Sequence, residues 1–467
     1  MLAPSFSPSV AQALRDLLGS RLSTAEAVRE HHSRGESYQA AYAPDAVAFP
    51  TSTEEVSAIV RLCGEARTPI VPFGAGTSLE GQISAIAGGV TIDLREMNRV
   101  LRVSADDLDA TVQAGVTHRQ LNKALQNTGL MFTVDPGADA TLGGMASTRA
   151  SGTTAVRYGT MREAVLGLTV VLPDGTVVVT GGRARKSASG YDLTRLFVGA
   201  EGTLGVITEL TLRLYGRPEA VSSAICPFAT LEGAVRTVIA TIQLGIPVAR
   251  CELMDDVHLD AVRRYSGLDC VVAPTLFFEF HGASEQNVKE QAEAVREIAE
   301  EHGGAGFRWT ATPEERARLW QARHDAHFAA LALRPGARSW PTDVCVPISA
   351  LADNILEAKR DACNATFPVA LVGHVGDGNF HMVYVIDPDD PAEMAEVRRL
   401  NDRLIERALA AGGTCSGEHG IGLGKMKYLD AEHGAALDVM RAIKRPLDPH
   451  NIFNPGKMLP PVPPHDR

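Results

Sequence analysis

No two cysteines in this chain are spaced as C-x-x-C. The seven present (Cys63, Cys226, Cys251, Cys270, Cys345, Cys363 and Cys415) stand singly, which leaves no ligand set for an iron–sulfur cluster or a zinc ribbon. An odd number of isolated thiols fits a reducing compartment. Nor is there an apolar run of about 18 residues, so no membrane-spanning helix is expected. Arginine and lysine total 45 against 56 acidic residues, and no basic block interrupts the net charge of −11. No nucleic-acid partner is expected from that balance. The N-terminus has no basic stretch ahead of an apolar core, so secretion is not expected. Residues 1–20 are poor in acids but contain Arg15 alone among Arg and Lys, a sparse basis for an organellar leader. The expected location is cytoplasmic or peripheral to an inner membrane, and mitochondrial if the source is eukaryotic. No internal repeat is visible.

What is present suffices for several cores: 467 residues, 45% of them hydrophobic, predict about two to four domains. Val10, Leu14, Leu17 and Leu18 have helical spacing, and Ser23-x-x-Glu26 reads as a capping box. Ser52-x-x-Glu55 is a second helix start, with Val56, Ile59, Val60 and Cys63 at i, i+3, i+4 and i+7. Strand-like runs follow at Pro69–Phe73, Val90–Leu94, Val100–Val103 and Ala110–Ala114, with a helix around Leu121–Gln126. Pro173-Asp174-Gly175 marks a hairpin turn, and Val206–Leu214 alternates as a strand does. From about Gly216, strands (Val221–Phe228, Ala249–Met254, Thr275–His281, Gly306–Thr310) alternate with helices (Leu231–Leu244, Ser284–His302, Pro313–Ala332). That order predicts an antiparallel sheet with helices on one face, of ferredoxin-like type. A helix over Ala435–Lys444 precedes an irregular tail, and the Pro-rich end, Leu459–Arg467, is expected to be disordered.

The segment Gly373-His374-Val375-Gly376-Asp377-Gly378-Asn379-Phe380-His381 carries the most chemistry. Asp-Gly is favoured in two-residue hairpin turns because both residues tolerate positive φ. A hairpin centred there sets Gly376 opposite Asn379, Val375 opposite Phe380 and His374 opposite His381. Opposed Cβ atoms lie about 5 Å apart, a separation at which two imidazoles grip one ion. Glu418, in Gly417-Glu418-His419-Gly420, supplies a third, anionic ligand, and His419 is left for proton transfer. Two His and one carboxylate with open positions describe a catalytic rather than a closed structural metal site. The alternative is a surface hairpin with two solvated histidines.

Two glycine-rich loops frame the first half. Pro72-Phe73-Gly74-Ala75-Gly76-Thr77-Ser78 follows a strand but is neither G-x-G-x-x-G nor a Walker loop, since Gly76-x4-Gly81 is followed by Gln82. Its exposed N–H groups form an anion nest, and Thr77 and Ser78 can donate to diphosphate oxygens. Pro136-Gly137-Ala138-Asp139-Ala140-Thr141-Leu142-Gly143-Gly144-Met145-Ala146-Ser147 is nearly free of bulky side chains, which permits close backbone approach to a large flat ligand. Glu201-Gly202-Thr203-Leu204-Gly205-Val206-Ile207-Thr208 repeats the theme.

In order, P-x-G-x-G-T-S, D-P-x-x-x-A-T-L-G-G and E-G-T-L-G-V-I-T resemble the FAD domain of the vanillyl-alcohol-oxidase type. The later G-H-V-G-D-G-N-F-H, G-E-H-G-I-G-x-G-K and N-P-G-K resemble the flavoprotein D-2-hydroxyacid dehydrogenases. The likeness runs over roughly residues 40–459. Within it, Arg323-His324, Thr342-Asp343-Val344-Cys345-Val346-Pro347 and the Val375/Phe380 form of the hairpin look most like the D-lactate branch that reduces cytochrome. Val383 stands two residues after the second histidine of the hairpin, where the D-2-hydroxyglutarate branch has an Asn.

The resemblance implies an α+β protein: an N-terminal helical arm (1–39), a two-subdomain FAD-binding domain (40–216), a ferredoxin-like antiparallel-sheet cap for substrate and metal (217–425), and a C-terminal segment returning to the FAD domain (426–467). It implies FAD held by Pro72, Gly74, Ala75, Gly76, Thr77, Ser78, Pro136, Gly137, Ala138, Thr141, Gly143, Gly144, Ala146, Ser147, Glu201, Gly205, Ile207 and Asn454. A divalent ion, Zn²⁺ or Mn²⁺, would sit on His374, His381 and Glu418, and Arg323 would clamp the substrate carboxylate, a task suited to a bidentate guanidinium. His419 is the expected base, because imidazole titrates near neutral pH.

The expected reaction takes D-lactate or a similar short D-2-hydroxy acid to its 2-oxo acid, with electrons passing to a cytochrome or quinone. Glycolate oxidase's catalytic subunit and D-2-hydroxyglutarate dehydrogenase are the near alternatives; a non-catalytic flavin-binding subunit is the distant one. Peripheral contact with a membrane and a homodimer are both compatible with the sequence. Asn379 is expected to orient the hairpin, and Asp377 to serve the turn alone. His324 and His327 are read as solvent-facing or satisfied, Lys425 and Lys457 as solvated or facing anions, and Trp340 is unassigned. His118 and Tyr158 give no linkage signal, so covalent flavin is not expected.

Overall fold

Val56, Ile59, Val60 and Cys63 are fully buried on one face of helix Thr53–Glu65, as their spacing requires. Ser52 caps the helix by accepting the Glu55 amide at 3.3 Å. The computed structural model describes residues 6–36 and 38–461; residues 462–467, the last of the Pro-rich end, lie outside them. Ser23-x-x-Glu26 does not form the expected box. Leu22 and Ser23 pair with Ala48 and Val47 as strand residues, and the following helix, Glu26–His31, starts behind Ala25 without a side-chain cap.

The chain divides into two compact units. The first takes in 1–151, 160–216 and 418–467. One of its sheets has four strands in the order Leu22–Ser23, Ala46–Ala48, Val90–Asp93, Ile70–Phe73, the last three parallel. Helix Thr53–Glu65 is the crossover that parallel pairing demands. A second sheet has five antiparallel strands, Val100–Ser104, Asp109–Gln113, Val206–Arg213, Val165–Val171 and Val177–Gly181, with the Pro173-Asp174-Gly175 turn joining the last two. Ile70 also bonds the C-terminal segment: its amide donates to the Ile452 carbonyl at 2.7 Å, and the Asn454 amide donates to its carbonyl at 2.8 Å. The tail thus returns to this unit, and residues 418–425, expected with the cap, pack here too.

The second unit comprises 217–417 and the short segment 152–159. Its antiparallel sheet runs Arg308–Thr310, Ala220–Pro227, Thr275–Gly282, Val248–Met254, Val369–Gly373, Asn379–Ile386, Arg338–Pro341, with Val344–Cys345 pairing the Asn379–Ile386 strand. Helices cover both faces, not one. Phe277, Val383 and Val385 cluster with Trp320, Ala326, Ala329 and Leu259 from helices on one side. Phe278 and Phe280, pointing the other way by strand alternation, are equally buried, and helix Glu285–Glu301 packs against their strand. The helix expected over Pro313–Ala332 is divided at Asp325, whose ψ of −7° opens the turn between Pro313–His324 and Ala326–Ala332. Among the described residues no helix is long and apolar enough to cross a membrane.

Candidate active site

The histidine hairpin is wider than its Asp-Gly dipeptide suggested. Val375–Asp377 forms a 3-10 turn and only Gly378 takes positive φ (81°), so the two-residue turn, which needs both, is not made. His381 therefore faces Val372 rather than His374. His374 follows Val372 by two, the strand period that returns a side chain to the same face, and the two imidazole centroids lie 5.6 Å apart.

Both rings are oriented through Nδ1. His374 Nδ1 donates to the Glu252 carboxylate at 2.8 Å, and His381 Nδ1 donates to the Thr342 carbonyl at 2.8 Å. An ionised carboxylate and a carbonyl only accept, so in each neutral ring the proton sits on Nδ1 and the lone pair on Nε2. That is the tautomer a metal-binding histidine needs. Glu252, on strand Val248–Met254, is fully buried, and its other oxygen accepts from Arg323 Nε at 2.8 Å and Nη2 at 2.6 Å. Burial alone would push this carboxyl up; His374 and Arg323 together hold it below the ordinary glutamate range. Arg323 is half-buried, and Glu252 takes its Nε and Nη2.

Asn379 does orient this region. Its Nδ2 donates to Asp343 at 2.7 Å and to the Val344 carbonyl at 2.9 Å, while Ser416 Oγ donates to the other Asp343 oxygen at 2.9 Å. Gly417 lies so close that a Cβ there would fall 2.2 Å from Asn379 Nδ2. His324 and His327 are exposed, and Trp340 is a buried member of strand Arg338–Pro341.

In the first unit the three glycine-rich loops touch one another. A Cβ on Gly74 would fall 2.2 Å from Thr141 Oγ1, so only glycine lets the first loop meet the second. The Glu201 amide donates to the Ser147 carbonyl at 2.8 Å, joining the second to the third, and Pro72 lies against Gly202. Ser78 Oγ and Thr141 Oγ1 are buried without a hydrogen-bond partner among the described residues. Such hydroxyls are costly unless a ligand satisfies them; Ser78 belongs to the loop expected to hold a diphosphate and Thr141 to the one expected to admit a large flat ligand.

Two residues expected at the cofactor, Glu201 and Asn454, bond protein through their side chains. The Glu201 carboxylate accepts the Ile421 and Gly422 amides at 2.6 and 2.8 Å, and Asn454 Nδ2 donates to the Gln82 and Glu201 carbonyls at 2.9 and 2.8 Å. Gln82 Nε2 in turn donates to the His419 carbonyl at 2.8 Å, and the Leu423 amide to the Glu80 carbonyl at 2.7 Å. Lys425 is buried 3.5 Å from the Glu80 carboxylate. Lys457 is buried with its ammonium on the Gln82 carbonyl, and burial pushes its pKa down to about 7 against the pull of Glu201. The backbone of Glu418–Lys425 is thus pinned to the loops of the first unit.

Glu252, Gln82 and Glu80 were not foreseen. Glu252 had a signal: it is an acid in a strand otherwise buried, and acids are almost never fully buried unless paired. Gln82 and Glu80 had none, because the His419 carbonyl that Gln82 bonds lies 337 residues away and the Leu423 amide and Lys425 side chain that meet Glu80 are as remote in sequence.

Residues 44–181 match the FAD binding domain family, and residues 217–458 match FAD linked oxidases, C-terminal domain. A Danio rerio protein named probable D-lactate dehydrogenase, mitochondrial, is 52% identical over 455 residues, covering 96% of this chain and 91% of the relative. D-lactate dehydrogenase [cytochrome], mitochondrial, of Arabidopsis thaliana is 46% identical over 451 residues, covering 96% and 79%. The chain belongs to the FAD-linked oxidase family. As an FAD-linked oxidase it is an oxidoreductase that uses FAD, the group its three loops and unpartnered hydroxyls fit. Solved structures of p-cresol methylhydroxylase with substrate bound (TM-score 0.79, 19% identity, 96% of each chain) and of 4-ethylphenol oxidase from Gulosibacter chungangensis (0.78, 19%, 97% of each) share its fold. The FAD-linked oxidase therefore has the α+β, vanillyl-alcohol-oxidase-type architecture its motifs resemble.

Proposed function

We propose that this FAD-linked oxidase converts D-lactate, or a D-2-hydroxy acid of similar size, to the 2-oxo acid and passes the electrons to a cytochrome or quinone. The observation that carries the reading is the pair of histidines whose Nδ1 protons are both committed to protein acceptors, leaving two Nε2 lone pairs on rings 5.6 Å apart. Relatives named probable D-lactate dehydrogenase and D-lactate dehydrogenase [cytochrome], at 52% and 46% identity, support the substrate class.

His374, His381 and Glu418 would hold a divalent ion, Zn²⁺ or Mn²⁺. Glu418 is bonded to Gly417, itself fixed beside Asn379 and Asp343, and consecutive Cα atoms are only about 3.8 Å apart. The donor set of two imidazoles and a carboxylate suits either metal. When bound, the ion would supply Lewis acidity that lowers the pKa of the substrate hydroxyl, and FAD would supply the two-electron acceptor for the C2 hydride.

The remaining work falls to the protein. Arg323, braced by Glu252, holds the substrate carboxylate. His419 takes the hydroxyl proton, its backbone fixed by Gln82 and by the Glu201 clamp on Ile421 and Gly422. Loss of that proton and of the C2 hydride turns the alcohol into a carbonyl, which balances the reaction.

The test is kcat/KM of purified holoenzyme on D-lactate, glycolate and D-2-hydroxyglutarate with an artificial acceptor, alongside elemental analysis. D-lactate should lead, with about one Zn or Mn per chain. A preference for glycolate or D-2-hydroxyglutarate would overturn the substrate, and metal-free enzyme of full activity would overturn the metal.

A further inference from the structure

Glu252 is fully buried, and each of its oxygens serves a different functional group: one takes the His374 Nδ1 proton at 2.8 Å, the other takes Arg323 Nε and Nη2 at 2.8 and 2.6 Å. Its neighbours in strand Val248–Met254 do not compete for it: Cys251 and Leu253 are buried, and Phe277, its partner across the sheet, is apolar. Arg250, two residues away on the same face, lies 3.6 Å from Glu279 and stacks on Trp320 at 4.6 Å. Among the described residues the carboxylate thus bonds one ring and one guanidinium.

We propose that Glu252 is a positioning residue that couples the metal site to the substrate-carboxylate clamp, a role that rests on the function proposed above. A single rigid carboxylate fixes the tautomer of His374 and the rotamer of Arg323 at once. Displacing either partner leaves a buried charge half-compensated, which is strongly unfavourable. Ordering one site therefore orders the other.

The geometry makes glutamine an informative replacement. Both neighbours are donors, and an amide has only one acceptor oxygen. In Glu252→Gln one end must meet donor to donor. Either His374 moves its proton to Nε2, which abolishes its ligand lone pair, or Arg323 swings away. Partners of this kind change metal affinity by about 10–100-fold when removed.

The experiment measures two constants on FAD-loaded wild type and Glu252→Gln: the Kd for Mn²⁺ or Zn²⁺ by competition with a chromogenic chelator, and KM for D-lactate at saturating metal. Coupling predicts that metal Kd rises about 10-fold or more. It also predicts that KM stays raised, about fivefold or more, when metal is restored to saturation. A change confined to one constant overturns the coupling, because a residue serving only the ligand or only the clamp moves only its own. Wild type that binds no metal overturns the metal reading itself, a distinct outcome. Glu252→Asp keeps the charge but withdraws it by one methylene; it reads the same two constants should the glutamine variant fail to fold.

Discussion

An imidazole can carry its proton on either nitrogen, and the choice decides whether it ligates a cation. In this chain the choice belongs to Glu252 and the Thr342 carbonyl, neither of which lies in the motif that brought the histidines to notice. Gln82 bonds the backbone carbonyl of His419, and the base role proposed for this residue is tested at its side chain. His419→Ala should bind FAD with an unaltered visible spectrum, since none of the three glycine-rich loops includes it. Anaerobic D-lactate should bleach that flavin about 10²–10⁴-fold more slowly. Stopped-flow absorbance decides the matter, and wild-type bleaching would remove His419 from the mechanism. The sequence singled out the two histidines, Glu418, His419 and Arg323 as candidates because each is a reactive type in a short motif. It hid the residues that aim them, because a buried partner announces itself only when its own strand is known.

At the scale of elements, local rules succeeded where one face decides and failed where pairing does. Helix Thr53–Glu65 and helix Pro8–Leu18 follow their apolar spacing. Ser23 lost its capping role to strand pairing, and the Asp-Gly turn was overridden by the register of strands Val369–Gly373 and Asn379–Ile386, which sets Val372 opposite His381. The first glycine-rich stretch is a loop as read, but the second turns into helix Leu142–Thr148 and the third into strand Val206–Arg213, and the contact of Gly74 with Thr141 was not legible.

One tertiary tie between elements yields a pH prediction. Arg21, at the end of the arm, bonds Glu55 in the first turn of helix Thr53–Glu65 through both guanidinium nitrogens, and this hydrogen bonding lowers the Glu55 pKa from 4.5 to about 2. A carboxyl depressed in the folded state contributes stability that is complete above 4.5 and lost as pH falls through 2. The pair is partly exposed, so its worth is about 1 kcal/mol or less. Glu55→Gln should lower the melting temperature at pH 7 and match wild type near pH 2. Parallel thermal melts across that range test it; a difference that does not shrink toward low pH assigns the effect to packing.

For the whole molecule, function is divided between units that each have a core of their own. The first holds the loops whose Ser78 and Thr141 hydroxyls have no partner among the described residues; the second holds the paired histidines with Glu252 and Arg323. Segment 152–159 belongs to the second although the chain around it builds the first. Helix Ala155–Tyr158 packs on strand Val248–Met254, and Arg157 donates to the Pro247 and His281 carbonyls at 2.6 and 3.0 Å. No sequence pattern marks such an exchange, because it depends on which side of a sheet edge a short helix finds its acceptors. The division makes ligand effects separable. A ligand that binds only the folded state stabilises it by RT ln(1 + [L]/Kd), about 2.7 kcal/mol at a hundredfold excess over Kd, and the opening it suppresses is local to the groups it satisfies. Adding FAD to flavin-free protein should therefore slow amide exchange in peptides around 72–78, 136–147 and 199–207. Adding Mn²⁺ or Zn²⁺ should slow it around 342–345 and 372–381. Hydrogen exchange with mass spectrometry reads both in one experiment. Metal protection that appeared on the glycine-rich loops and spared the histidine hairpin would move the ion away from His374 and His381, and with it the carbonyl-forming step proposed for this protein.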